Sequence, residues 1–166
     1  MNRRHVLAAL FATGLSQGLA GATAVREDGP LLVVGGDVRG GGPISFDADA
    51  LLGLPRQDIK TGTIWTPAPE TFSGPALAHV LDAAGAGLGD LRLVAHNDYA
   101  VTLPRAEVEP DVPVVALLRN GRRFGLRDKG PLWLMFPFDG STRYRNELVY
   151  ARSVWQLARI DVLPGP

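Results

Sequence analysis

VPVVALLRNGRRFGLRDKGPLWLMFPFD, residues 112–139, is the stretch on which the fold turns. An apolar run from Val112 to Leu118 meets Asn120-Gly121, a pair that tolerates the positive φ values of a tight hairpin turn. The spacing predicts a hairpin: an apolar strand, the turn, and a return arm through RRFGLRD. A charged lip follows, Arg127-Asp128-Lys129, closed by Gly130-Pro131. PLWLMFPF, residues 131–138, is nearly unbroken in its apolar character, which predicts a strand covered on both faces.

Working outward, DLRLVAHN (90–97) reads as a strand. YAVTLP (99–104) reads as a second extended piece ended by Pro104, and RAEVEPD (105–111) as a short helix or turn. SGPALAHVLDAAGA (73–86) predicts a helix. Ser73 or Gly74 stands at its cap and Pro75 at its first position, where the missing N–H costs nothing. Leu77, Val80, Leu81 and Ala84 form one apolar stripe, and Gly85 stops it. His79 lies off that stripe, at an edge or in solvent. QDIKTGTIW (57–65) and PLLVVGGDV (30–38) predict strands, and Asp47 caps a short helix over ADALLGL. SVWQLARIDV (153–162) predicts a closing strand with Val154, Ala158, Ile160 and Val162 on one face. Strands outnumber helices without strict alternation. That predicts an α+β fold with mixed β-sheets and a few short helices.

Composition narrows the function. Hydrophobic residues make up 46% and charged residues 20% of the 166, so a packed core is expected and disorder is not. The 17 basic and 17 acidic residues balance, which argues against a nucleic-acid surface. No cysteine is present, so disulfides, closed zinc sites and iron–sulfur clusters are excluded. No metal-ligating residues are assigned. P-loop, Rossmann and G-x-S-x-G motifs are absent.

Residues 1–24 read as a signal peptide: basic MNRR, a short apolar run, and Ala22-Thr23-Ala24 as the cleavage site. Arg3-Arg4 before apolar residues resembles a twin-arginine signal. The expectation is periplasmic export, no stable membrane span after cleavage, and a mature single domain over 25–166. Losing Arg3 and Arg4 leaves that domain mildly acidic.

The order NDY (97–99), Pro104, Pro110-Asp111, Val114 to Leu118, Asn120-Gly121, Arg127 to Pro131 and Leu132 to Pro137 resembles the molybdopterin-binding domain of the sulfite oxidase family. TFSGPALAHVLDAAGA upstream and WQLARIDV at the end resemble that family's helix and closing strand, so the likeness runs roughly from residue 40 to 163. It implies a sulfite-oxidase-type α+β fold with a pocket for pterin-held molybdenum, and an oxidoreductase activity. It places Tyr99 on the substrate side, where its hydroxyl could donate a hydrogen bond or proton, with Asn97 and His96 just before it. In the family a cysteine binds the metal in a loop before the helix. Here that stretch is KTGTIWTPAPETFSG (60–74), and Thr61, Thr63 and Trp65 cannot replace a soft thiolate. Sulfite oxidation is therefore not expected, although a pterin could be held without the Cys–metal bond.

The lip has its own logic. Arg127 offers a fork of donors and Lys129, one of only two lysines, a point charge; together they suit a phosphate or carboxylate. Asp128 would pair with one of them, and Gly130 would let a backbone approach closely. The family carries a histidine where Lys129 stands. Asn97, Arg127, Asp128, Lys129 and Gly130 are thus the candidate cofactor-binding residues. Trp65 and Trp133 could wall the pocket, and Arg143, Arg145 and Arg152 could add positive potential. Three readings remain open: a molybdopterin-binding oxidoreductase with a non-standard or lost molybdenum site, a cofactor-free module for a small anionic ligand or a periplasmic signalling or redox partner, and a purely structural domain.

Overall fold

The computed structural model describes residues 29–165; the expected signal peptide and cleavage site fall outside them. In chain order the strands and helices are β1 (Leu32–Gly36), β2 (Ile44–Phe46), α1 (Ala48–Leu52), β3 (Arg56–Thr61), β4 (Glu70–Pro75) and α2 (Leu77–Ala84). The second half adds β5 (Leu91–Ala95), β6 (Ala100–Leu103), β7 (Val114–Ala116), β8 (Leu118–Arg119), β9 (Arg122–Arg123), β10 (Trp133–Met135), α3 (Glu147–Arg152) and β11 (Leu157–Val162). They make three sheets, ordered β2-β1-β11-β5-β6, β3-β4-β8-β9 and β10-β7. The first is mixed, because β1 runs parallel to β11 while its other pairs are antiparallel. The expected α+β class with mixed sheets and few helices holds.

Local chemistry explains several elements. Asp47 caps α1 as expected, its carboxylate accepting from the Ala50 N–H at 2.8 Å. The α2 stripe Leu77, Val80, Leu81 and Ala84 is buried in the common core. Gly85 ends that helix in the left-handed region, φ 64°. Trp133, Leu134 and Met135 of β10 are all wholly buried, as a strand covered on both faces requires. Among the described residues no helix is long and apolar enough to cross a membrane.

Two expectations need correction. The helix begins at Leu77, not at Ser73 or Pro75, which belong to β4. The reason is tertiary: the Ser73 carbonyl accepts from the Leu117 N–H at 3.0 Å. A Cβ on Gly74 would also sit 2.0 Å from the Val115 carbonyl oxygen, so glycine there admits a neighbouring strand. The hairpin is the second case. Its turn forms at Asn120-Gly121, both at positive φ, but its arms pair over two residues each. The apolar arm leaves β8 at Leu117 and continues as β7, paired with β10 in another sheet. Chain reversal was local information; the change of sheet was not.

Candidate functional site

A cavity of about 320 Å³ opens where the loop after β3, the loop after β5 and the end of α3 converge. Short polar contacts aim each wall. The Thr63 hydroxyl accepts from the Trp65 N–H at 3.0 Å and bonds the Thr66 hydroxyl at 2.9 Å, a turn that sends the indole inward. Trp65 there meets Trp155, Trp133 and Tyr150 with ring centres 5.5, 5.7 and 5.9 Å apart. Behind them Trp133 is fully buried and donates its indole N–H to the Ser153 carbonyl at 3.1 Å. Of the two tryptophans expected to wall the pocket, Trp65 lines it, whereas Trp133 is fully buried and packs against Trp65 and Trp155 instead.

Across the opening, Asp98 lies at φ 64° and the Asn97 side-chain oxygen accepts from the Tyr99 N–H at 3.2 Å. This Asx turn carries Tyr99 toward α3, where its hydroxyl donates to the Ala151 carbonyl at 3.0 Å. Asn97 and Tyr99 both line the cavity, and Tyr99 remains 45% exposed. His96 is exposed and does not line it.

The charged lip sits beside this cavity. Leu126–Asp128 forms one turn of 3₁₀ helix, and Lys129 follows in the left-handed region at φ 71°. The Lys129 ammonium lies 5.0 Å from the centre of the Trp155 ring, within cation–π range. The lip is stitched to the same segment: Gln156 N–H donates to the Lys129 carbonyl at 3.0 Å, and its side-chain amide to the Leu126 carbonyl at 2.8 Å. Arg127 and Asp128 are exposed on the outside of the turn. Among the described residues neither Arg127 nor Lys129 forms the ion pair with Asp128 that the sequence suggested; Lys129 rests on an indole instead. Gly130 is buried, and the backbone approaching it is the chain's own: a Cβ there would meet the Phe124 carbonyl oxygen at 2.1 Å.

A second cleft, about 560 Å³, also uses α3, through Leu148, Val149 and Arg152. Arg143 pairs with Glu109 at 2.8 Å, and Arg152 pairs with Glu107 while also donating to the Thr102 carbonyl. Arg145, near the Trp65 loop, pairs with Asp139 at 3.0 Å. The three arginines expected to supply free positive potential are each countered by a carboxylate. Glu109 hydrogen bonding raises the Arg143 pKa. Burial, and then the Glu109 hydrogen bond, push the Tyr144 hydroxyl up. On the four-stranded sheet, Arg119 is raised by its hydrogen bond to Glu70.

Sequence reasoning missed Tyr150, Ala151, Ser153 and Trp155. A signal was available in Asn146-Glu147: the Asn146 side chain accepts from the Val149 N–H at 3.1 Å and starts α3, with an acid in the first turn.

The residues do not fit a molybdenum held by a protein thiolate. The chain has no cysteine. Thr61 is fully buried, its hydroxyl donating to the Gly62 carbonyl at 3.1 Å and accepting from the Asp139 N–H at 3.0 Å. Thr63 is committed to Trp65 and Thr66. Among the described residues no group of three His, Cys, Asp or Glu is placed to hold a metal.

No family model matches this chain, and no curated protein matches it. Among solved structures it is similar to the sulfane dehydrogenase SoxCD from Paracoccus pantotrophus, with a TM-score of 0.59 and 17% identity over 80% of this chain. The match spans 37% of that longer chain. At that identity the likeness is one of fold: this α+β arrangement also occurs in an oxidoreductase.

Proposed function

We propose that this chain is an exported, periplasmic domain of the sulfite-oxidase type whose molybdenum site has been lost, and that it binds a small organic ligand in the aromatic cavity. One observation carries the reading. The loop that the sequence resemblance aligns with the metal-binding cysteine supplies an indole wall instead, and its Thr63 and Thr66 hydroxyls are committed to the turn that carries that indole. A largely apolar concavity of this size with a few polar groups suits a small molecule. A second reading, a pterin-holding oxidoreductase, is favoured by the likeness to a dehydrogenase and by Arg3-Arg4 at the start.

Protein purified from its native periplasm separates the two. Elemental mass spectrometry should find no stoichiometric molybdenum, and oxidative release should yield no pterin fluorescence. Denaturation should release another small organic molecule. Stoichiometric molybdenum with pterin would reinstate the oxidoreductase. Intact mass should correspond to a chain starting at Val25; retention of residues 1–24 would defeat export with cleavage.

A further inference from the structure

We infer that the cavity takes an aromatic monocarboxylate, an inference that rests on the binding reading above. The body of the ligand follows from the walls. Trp65, Tyr99, Tyr150 and Trp155 present ring surface to a space of about 320 Å³. That is room for one ring with a short arm, and ring packing contributes beyond burial alone.

The polar end follows from which groups are already used. The carbonyls of Tyr150, Ala151, Ser153 and Val154 accept from Ser153 N–H, the Tyr99 hydroxyl, the Trp133 indole and Leu134 N–H, respectively. The Ser153 hydroxyl donates to the Val149 carbonyl at 2.8 Å. Asn97 gives its oxygen to the Tyr99 N–H, an assignment forced by that donor, so its amide N–H groups are what it has left to offer. Lys129 forms no ion pair among the described residues, and its ammonium rests on a ring that walls the cavity. Groups left with protons to donate thus include the Asn97 amide in the lining and, next to the Trp155 wall though not itself in the lining, the cationic Lys129.

Among the described residues no carboxylate lines the space: Asp98 is exposed and outside the lining, and Arg152 on the adjoining turn is held by Glu107. A group that only accepts hydrogen bonds and carries one negative charge matches this set. A cation would find the rings attractive but would meet Lys129 with no carboxylate among the described lining residues to offset it.

The test is calorimetric titration of the mature protein with phenylacetate, its neutral analogue phenylacetamide, and phenyltrimethylammonium. Phenylacetate should bind at least about tenfold more tightly than the amide, the scale of a charge-assisted contact. Lys129→Gln should remove that preference, with its melting temperature checked alongside. Asn97→Ala gives the same readout should the first variant misfold. Equal binding of acid and amide, or tighter binding of the cation, overturns the proposal. If none of the three binds while the purified protein carries a different small molecule, the aromatic-acid class falls and the binding reading stands. If none binds and nothing is carried, both fall.

Discussion

Helix α3 faces two clefts of opposite character. Through Tyr150 and Ala151 it closes a cavity of aromatic rings beside Lys129, which has no ion pair among the described residues. Through Leu148, Val149 and Arg152 it borders a larger cleft rich in charge. The second carries more charge and less free charge, because its arginines are neutralised by Glu107 and Glu109. The first has fewer polar groups, yet some remain unspent. Recognition depends on what is left after internal pairing, not on how many charged residues line a surface.

The comparison breaks most severely at Trp133, which supports the first cleft alone. Trp133→Ala should cost about 4 kcal/mol of stability, the usual scale for emptying a buried aromatic site. It also frees the Ser153 carbonyl and removes the floor under Trp65 and Trp155. Urea unfolding measures the loss, and a variant as stable as the parent would refute the packing account. Gly130→Ala comes next. Its methyl would collide with the Phe124 backbone and displace the lip, at a cost of about 3 kcal/mol. Retention of the parent urea midpoint would show that the lip yields freely.

In the second cleft the expected effects are smaller and graded by exposure. The Arg152 side chain is 14% exposed, whereas that of Arg143 is 60% exposed. Arg152→Ala should cost about 1 kcal/mol, held down by the exposure of its partner Glu107. Arg143→Ala should change stability less than Arg152→Ala does. Equal losses would mean that burial does not set the ranking.

The smallest effect is alkaline. Tyr144 has a folded pKa raised above its ordinary 10.0, so its neutral form favours the folded state. That contribution is complete below about pH 10 and disappears as pH rises from there through the folded value. Tyr144→Phe should flatten this decline in urea midpoints measured between about pH 9 and pH 11. An unchanged slope would assign the decline to other groups.

Residue chemistry that acts within a few positions was readable in the chain. Asp47 caps α1, Asn120-Gly121 turns the hairpin, and the α2 stripe faces the core, each set by neighbours three or four residues away. The placement of Asn97 and Tyr99 beside a cavity was suggested by resemblance, and the Asx turn that aims Tyr99 is itself local. Helix α3 escaped notice because six residues are too few for a periodic pattern to stand out.

By itself, then, the sequence determined a cysteine-free α+β chain with a buried strand after a charged lip, because side-chain type and short spacing set those features. Tertiary structure decided that Ser73 to Pro75 extend a strand, since their partners come from β3 and β8. It also decided which cations stay unspent. Arg143 and Arg152 find carboxylates 34 and 45 residues away, while Lys129 finds an indole. Charge and hydrogen-bonding capacity belong to the residue, but whether they remain available depends on which distant groups folding places beside them.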